Sequence, residues 1–190
     1  MKSNACLVAL LGLAACNGPL EKVLGSETDS QTLADAAACQ RGDPFACTNV
    51  ADALTTRAAA GDQEVARQLF EEACRAGAAL ACIRHAEFLS PDEAAELLDD
   101  TCTAGEALAC ERLGSLLRDS DPLRAYGLFG LACEDRLFRA CYYQGTMLKN
   151  GEGVSADPAG AFSLFRDLCA NGGAEGCREN ATEMLDPQSP

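Results

Sequence analysis

Cysteine is the residue type with the widest scope for chemistry in this chain. Of the twelve cysteines, ten fall into five pairs in which seven residues separate the two thiols. Zinc sites favour roughly two to four residues between paired cysteines and commonly add histidine, and redox and haem sites use C-x-x-C. The wider spacing and the single histidine therefore favour structural disulfides, with no metal and no cofactor. The pairs are Cys39/Cys47, Cys74/Cys82, Cys102/Cys110, Cys133/Cys141 and Cys169/Cys177.

The spacing within each pair requires the chain to reverse direction. On one continuous helix, residues eight positions apart lie about 12 Å apart along the axis, whereas a disulfide needs Cα atoms within about 7 Å. Four pairs carry a glycine three residues after the first cysteine, where it can adopt the left-handed conformation that ends a helix. The fourth pair has Asp135 and Arg136 in its turn instead, and there we expect local strain or a different turn type. The four glycines are Gly42, Gly77, Gly105 and Gly172.

Few other side chains have types and spacing that suit catalysis. His85 is the single histidine and follows Cys82 by three residues, which favours a groove or surface residue over a catalytic base. Tyr142 and Tyr143 could line a binding groove or pack against the next helical hairpin, and the sequence leaves both alternatives open. A group of carboxylates on one predicted helix could perform acid–base work, although a solvated helix face is the simpler interpretation. That group is Asp92, Glu93, Glu96, Asp99 and Asp100.

The N-terminal residues predict export. Lys2 precedes a short apolar stretch, residues 7–13, and small residues follow, an arrangement that is typical of a secretory signal. The stretch is too short to span a bilayer as a helix. The Leu-Ala-Ala-Cys sequence that ends at Cys16 resembles the lipobox of bacterial lipoproteins, which implies cleavage before Cys16 and a lipid on its thiol. With Asn17 next in the chain, this resemblance implies a cell-envelope lipoprotein of the outer membrane, facing the periplasm or the cell surface. An ordinary signal peptide with a free Cys16 is the alternative.

Charge limits the classes of partner. The formal net charge is −14, so the phosphates of a nucleic acid would be repelled, as would anionic lipid. We expect a monomer that contacts the membrane through the lipid on Cys16 only. The predicted organisation is a signal peptide at 1–15, a lipid-anchored flexible tether at 16–30, a disulfide-stapled domain at 31–185 and a C-terminal tail at 186–190.

Aligning the chain on its cysteines reveals a repeat of two helices. An alanine stands eight residues before the first cysteine of four pairs, and a small residue stands four residues after the second cysteine of all five. An apolar residue follows the small residue by three positions, and Pro91 and Pro122 suit helix starts. Successive first cysteines are 35, 28, 31 and 36 residues apart, periods that are typical of a solenoid of helical hairpins. The columns are Ala66, Ala94, Ala125 and Ala161; Ala51, Ala86, Gly114, Gly145 and Ala181; and Leu54, Leu89, Leu117, Leu148 and Met184.

One repeat resembles a known family closely. Residues 140–161 resemble the Sel-one-like repeat, a relative of the tetratricopeptide repeat, and the C-x7-C staples resemble the Hcp-type cysteine-rich proteins. This resemblance implies an all-α, right-handed α-solenoid of stapled hairpins. It also implies a scaffold that binds a peptide, a protein or a cell-wall or other envelope component on its concave surface. The earlier repeats lack the G-x-G-V loop. The residues that carry the resemblance are Ala140, Gly145, Gly151, Gly153, Val154, Asp157 and Ala161.

Two alternatives to a binding scaffold remain. Some Hcp-type proteins are described as penicillin-binding or β-lactamase-like, which implies a hydrolase. The S-x-x-K, S-D-N and K-T-G motifs of serine β-lactamases are absent from the sequence, and Lys149 is the single lysine within the repeats. We therefore assign no catalytic residues. A structural envelope lipoprotein without a discrete ligand is the other alternative.

Overall fold

The computed structural model describes residues 20–25 and 28–172. These residues form ten α-helices joined by short turns, with no strand among them. The chain divides into two compact units, Met1–Ser90 and Pro91–Pro190. The first contains α1 (Leu20–Leu24), α2 (Ser30–Gln40), α3 (Pro44–Arg57), α4 (Asp62–Arg75) and α5 (Ala79–Ala86). The second contains α6 (Pro91–Thr103), α7 (Ala107–Leu117), α8 (Pro122–Glu134), α9 (Phe138–Asn150) and α10 (Pro158–Gly172).

Proline and aspartate determine where several helices begin. Asp43 caps α3 by accepting hydrogen bonds from the backbone N–H groups of Phe45 and Ala46, at 3.0 and 3.2 Å, and Pro44 occupies the first turn. Asp121 caps α8 in the same way, accepting from the N–H of Arg124 at 3.1 Å. Proline suits these positions because its fixed φ matches the helix and its missing N–H would be unpaired there. The predicted helix starts at Pro91 and Pro122 are confirmed.

Four of the five cysteine pairs lie at bonding distance across the turns between helices. The bridges are Cys39–Cys47, Cys74–Cys82, Cys102–Cys110 and Cys133–Cys141, with Cα atoms 4.5 to 4.7 Å apart. They join α2 to α3, α4 to α5, α6 to α7 and α8 to α9. Cys169 is also disulfide-bonded, and its predicted partner Cys177 lies outside the described residues.

All four of these turns have the same hydrogen-bond pattern. In the first, the N–H of Gly42 donates to the carbonyl of Cys39, and the N–H of Asp43 donates to the carbonyl of Ala38, which is the Schellman arrangement at a helix end. Gly42, Gly77 and Gly105 have φ of 92°, 92° and 99°. Arg136 takes the same place in the fourth turn with φ 63°, and it keeps the bond from its N–H to the carbonyl of Cys133. The fourth turn is therefore of the same type, with a strained non-glycine residue in it.

The first unit includes a helix where the sequence predicts a flexible tether. Leu20 and Leu24 of α1 are 3% and 5% exposed and belong to the same apolar core as Leu54 and Phe70. Arg57 at the end of α3 fixes this helix by donating to the backbone carbonyls of Val23 and Leu24. Residues 20–25 are thus a packed part of the unit, because two leucines one helical turn apart find an apolar surface to cover. The predicted tether is corrected at these residues.

The second unit packs large rings against glycine. Gly114 of α7 lies on the ring of Phe129 of α8, and Gly145 of α9 lies on the ring of Phe165 of α10. An added Cβ at Gly145 would be only 2.6 Å from Cζ of Phe165. The predicted column of small residues therefore lets neighbouring helices approach closely at these two places.

The fold class predicted from the repeat is confirmed, because the described chain is an all-α series of disulfide-stapled helices. The alanine column is buried throughout, at Ala66, Ala94, Ala125 and Ala161. Among the described helices, none is both long enough and apolar enough to cross a membrane. The predicted signal peptide at 1–15, the predicted lipidation site at Cys16 and the predicted tail at 186–190 lie outside the residues that the structure describes, as do Ala181 and Met184.

Candidate functional site

Two ion pairs connect α7 with α9 and the loop that follows it. Arg139 of α9 donates from Nε to Oε1 of Glu111 of α7 at 2.5 Å, and the side chain of Glu111 is only 3% exposed. Arg118, just after α7, donates from Nη2 to Oε2 of Glu152 at 2.8 Å. A hydrogen bond from the Asn150 amide, together with the Arg118 guanidinium, lowers the pKa of Glu152. The carboxylate of Glu152 is therefore held as an anion, and the carboxylate of Glu111 is bound to Arg139 in a buried position.

Tyr142 and Tyr143 are half-buried and form an aromatic cluster with the flanking helices. The ring centroid of Tyr143 lies 5.1 Å from that of Phe129, and the ring centroid of Tyr142 lies 5.8 Å from that of Phe165. The guanidinium carbon of Arg118 is 5.9 Å from the ring centroid of Tyr143, within cation–π range. Packing against neighbouring hairpins, one of the two predicted alternatives for these tyrosines, is present. Their role in a groove stays a prediction.

Arg112 is a half-buried arginine of α7 that has no ion-pair partner among the described residues. Its Nε atom is buried without a hydrogen-bond acceptor. Leu116 follows one turn later and is 38% exposed, while Arg139 and Tyr143 have the same spacing on α9. We group Arg112 and Leu116 of α7 with Arg139 and Tyr143 of α9 under the name α7–α9 face, because Arg139 contacts Glu111 and Tyr143 contacts Arg118. It combines apolar, aromatic and guanidinium groups that can contact a ligand.

Sequence reasoning identified Tyr143 of this face but missed the other three residues. A signal for them exists in the cysteine alignment. Arg112 and Tyr143 each stand two residues after the second cysteine of a pair, and Arg139 stands two residues before it. Neither column keeps one residue type, so that composition alone does not mark them. The column after the cysteine holds Asn49, Arg84, Arg112, Tyr143 and Glu179, and the column before it holds Phe45, Leu80, Leu108, Arg139 and Glu175.

His85 lies in the interior of the first unit rather than on an open groove. It is 8% exposed, and burial lowers the pKa of its imidazole, with Glu71 of α4 opposing that shift more weakly. Its Nδ1 atom is buried without a hydrogen-bond partner. The reason for this placement is its column, because Val50 and Leu113 stand at the same distance after their cysteines and are fully buried. The expectation of a groove or surface residue is therefore corrected.

Several other charged groups make contacts near the surface of their unit. In the first unit, Nε of Arg84 lies 3.1 Å from Oδ1 of Asp52, and burial raises the pKa of Asp52. In the second unit, Asp99 pairs with Arg124 at 2.7 Å, and most other carboxylates of α6 are exposed, in agreement with a solvated face. Within the part of the chain that the structure describes, no group of cysteine, histidine or carboxylate side chains is arranged to hold a metal ion.

A cavity of about 280 Å³ lies in the second unit beside the disulfide of Cys133 and Cys141. Its wall is mainly apolar, and its lining includes Phe138 of α9 and Leu164 and Leu168 of α10. Arg136 and Asp167 contribute the charged part of the lining. Sequence reasoning identified the unusual turn at Arg136 but not the cavity, because the cavity depends on how the turn and α10 are placed in space.

Comparison with known proteins gives matches of structure only. The chain matches no known family model and no curated protein sequence. It is similar to a protective antigen of uropathogenic Escherichia coli strains that has an SLR fold, with 22% identity and a TM-score of 0.69 over 87% of this chain. It is also similar to a Sel1 repeat protein from Oxalobacter formigenes, with 15% identity and a TM-score of 0.66 over 84% of this chain.

The two matched structures differ in how much of their own length is covered. The match covers 39% of the Escherichia coli antigen and 71% of the Oxalobacter protein. At these identities the likeness concerns the fold, and it agrees with the series of helical hairpins described above. The chain therefore has the Sel1-like repeat fold, with a disulfide across each of four described turns.

Proposed function

We propose that this protein is an exported scaffold that binds a protein or peptide through the α7–α9 face. The Sel1-like repeat fold supports an interaction scaffold in general terms, since solenoids of helical hairpins present extended surfaces. A fold alone does not fix a function, so the finer proposal depends on the residues of this face. The single observation that carries it is Arg112, a half-buried guanidinium with no ion-pair partner among the described residues and one helical turn before the exposed Leu116.

Because the chain is strongly acidic, the absence of an ion-pair partner for Arg112 among the described residues is informative. The chain contains 29 acidic and 15 basic residues, so acidic partners for an arginine are abundant. Nearby arginines on the same helices have such partners, as Arg118 and Arg139 do. A guanidinium that is partly desolvated and unpaired can form a bidentate contact with a ligand carboxylate. Arginine and tyrosine are also the residues most enriched at the energetic centres of interfaces.

Site-specific photo-cross-linking tests the scaffold. A photoreactive amino acid replaces Leu116, the partner is identified by mass spectrometry, and the purified partner is then titrated against variants. We expect Arg112→Ala to raise Kd at least tenfold, about 1.4 kcal/mol of binding free energy. Leu131→Ser is the matched control, because Leu131 is an exposed leucine of the same unit outside the face. An equal loss of binding in Leu131→Ser, or cross-linking that is no stronger from position 116 than from position 131, would contradict the proposal.

Export and lipid anchoring form the second part of the proposal. The Leu-Ala-Ala-Cys sequence before the tether supports lipidation of Cys16, and the disulfides support an oxidising compartment, where such bonds persist. The test is expression in a Gram-negative bacterium fed with a radiolabelled fatty acid. We expect the wild-type chain to carry the label in the membrane fraction and Cys16→Ser to carry none. Equal labelling of both chains would exclude Cys16 as the anchor.

A further inference from the structure

The turn at Arg136 contains a strain that the other described turns avoid. Gly42, Gly77 and Gly105 occupy the equivalent left-handed position, where glycine has no Cβ to clash. Arg136 adopts a φ of 63° at this position, which is unfavourable for a residue with a side chain. Because the hydrogen bonds of the turn are the same in all four cases, glycine would serve the turn better. The arginine is therefore not explained by the turn itself, and the surroundings of its side chain become relevant.

That side chain lines the cavity of the second unit. Within the described residues, Arg136 has no ion pair, although the chain has a large excess of acidic groups. Leu164 and Leu168 contribute apolar lining to the same cavity, and Phe138, which also lines it, is 42% exposed. Residues with a strained backbone cluster at functional sites. Small ligands bind in concave pockets whose lining is mostly apolar.

Size and charge restrict the ligand. A cavity of about 280 Å³ is at the small end of ligand pockets, roughly 300 Å³ and above, so it suits one residue or a comparable small group. Asp167 also lines the cavity and lies 3.2 Å from Nη2 of Arg166. Its negative charge opposes a doubly charged phosphate more strongly than a singly charged carboxylate. The guanidinium of Arg136 can hold a carboxylate by two parallel hydrogen bonds.

We propose that this cavity binds the C-terminal residue of a peptide, with an apolar side chain between Phe138, Leu164 and Leu168 and its α-carboxylate on Arg136. The proposal rests on the proposed scaffold function in taking a peptide as the ligand. It adds a second site, separate from the α7–α9 face, and a chemical rule for what that site selects. In this proposal, the left-handed conformation of Arg136 lowers the stability of the turn, and the selectivity of the cavity is what that loss of stability maintains.

Fluorescence anisotropy with defined peptides tests the proposal on the oxidised full-length chain. The probe is a fluorescein-labelled hexapeptide that ends in phenylalanine with a free carboxylate, compared with the same peptide amidated. We expect the free acid to bind at least tenfold more tightly. Arg136→Gly should weaken binding of the free acid at least tenfold and raise Tm by about 2–4 °C. Phe138→Ala should weaken both peptides, and Arg41→Ala, an exposed arginine outside the cavity, should change neither.

Several outcomes would overturn the proposal. Equal binding of the acid and the amide would exclude carboxylate recognition, and unchanged binding in Arg136→Gly would exclude this arginine. Binding of octanoate without binding of either peptide would indicate an acyl-chain site instead of a peptide site. The absence of binding to every probe would overturn the cavity proposal alone, because the α7–α9 face is tested separately with the cross-linked partner and the Arg112→Ala variant.

Discussion

Gly145 has no Cβ at the point where α9 meets the ring of Phe165. The ring leaves 2.6 Å for such an atom, well below van der Waals contact, and Phe165 is itself 4% exposed and cannot move freely. We expect Gly145→Ala to lower the free energy of unfolding by about 1–3 kcal/mol through overpacking. Urea denaturation of the oxidised chain measures this, and Phe165→Leu in the same chain should recover part of the loss.

Gly127 provides the opposite case in the same unit. It lies on the exposed side of α8, and nothing is within 4 Å of an added Cβ. Because alanine is the better helix former, Gly127→Ala should raise the free energy of unfolding by roughly 0.5–1 kcal/mol. If both substitutions changed stability in the same direction, the close approach of α9 and α10 would not be the cause of the first effect.

The Glu111 side chain depends on one partner. It is 3% exposed and bound to Arg139, so Arg139→Ala leaves a buried carboxylate without its cation. We expect a loss of about 1–3 kcal/mol in the free energy of unfolding, measured by urea denaturation at neutral pH. Arg166→Ala removes an exposed pair with Asp167 and should change stability by less than about 0.5 kcal/mol. A similar change in the free energy of unfolding in both variants would contradict the argument that the loss in Arg139→Ala arises from the burial of Glu111.

At the scale of helices, α4 and α5 are packed around an uncharged imidazole. Burial lowers the pKa of His85, so between its folded and unfolded pKa values the unfolded chain binds the additional proton. Stability is then fully present above the unfolded value, about 6.5, and is lost as the pH falls through the lower folded value. We expect the free energy of unfolding to fall between pH 7.5 and pH 5.5, as measured by urea denaturation across that range.

His85→Leu is the control for this pH effect. Glu71, Arg67 and Arg75 of α4 are the charged groups that act on His85, and the variant retains all three. The difference in the free energy of unfolding between wild type and His85→Leu should therefore change with pH over this range. A difference that stays constant from pH 7.5 to pH 5.5 would contradict it.

Most helices could be predicted from residues close to one another in the sequence. Helix α1 and the cavity could not, because they depend on contacts between residues far apart in the sequence. The turns at Gly42, Gly77 and Gly105 follow from residues within a few positions of each cysteine, so the cysteine spacing was sufficient. Helix α1 could not be predicted in this way, because its position depends on Arg57, which is 33 residues beyond Leu24. The cavity was missed for the same reason, since Leu164 lies far along the chain from Arg136. Arg136 itself could be recognised as unusual, because the glycine of the other turns is missing there.

At the scale of the molecule, stability is divided among several small covalent loops. Each described bridge links cysteines eight residues apart, a loop that contributes about 2–3 kcal/mol by restricting the unfolded chain. We expect replacement of both Cys133 and Cys141 by serine to lower the free energy of unfolding by about this amount. Urea denaturation without reductant measures it. An unchanged midpoint in the double variant would show that the loop is already ordered in the unfolded chain.

The same arrangement of bridges has a consequence for how the protein matures. Eight thiols can pair in roughly a hundred ways, yet each described bridge joins a cysteine to the next one along the chain. When a chain enters an oxidising compartment N-terminus first, each thiol meets its native partner before any later thiol has emerged. For the export proposed above, the order of entry favours the native pairing, and we expect oxidative maturation to proceed in sequence from Cys39 onward with little need for disulfide isomerisation.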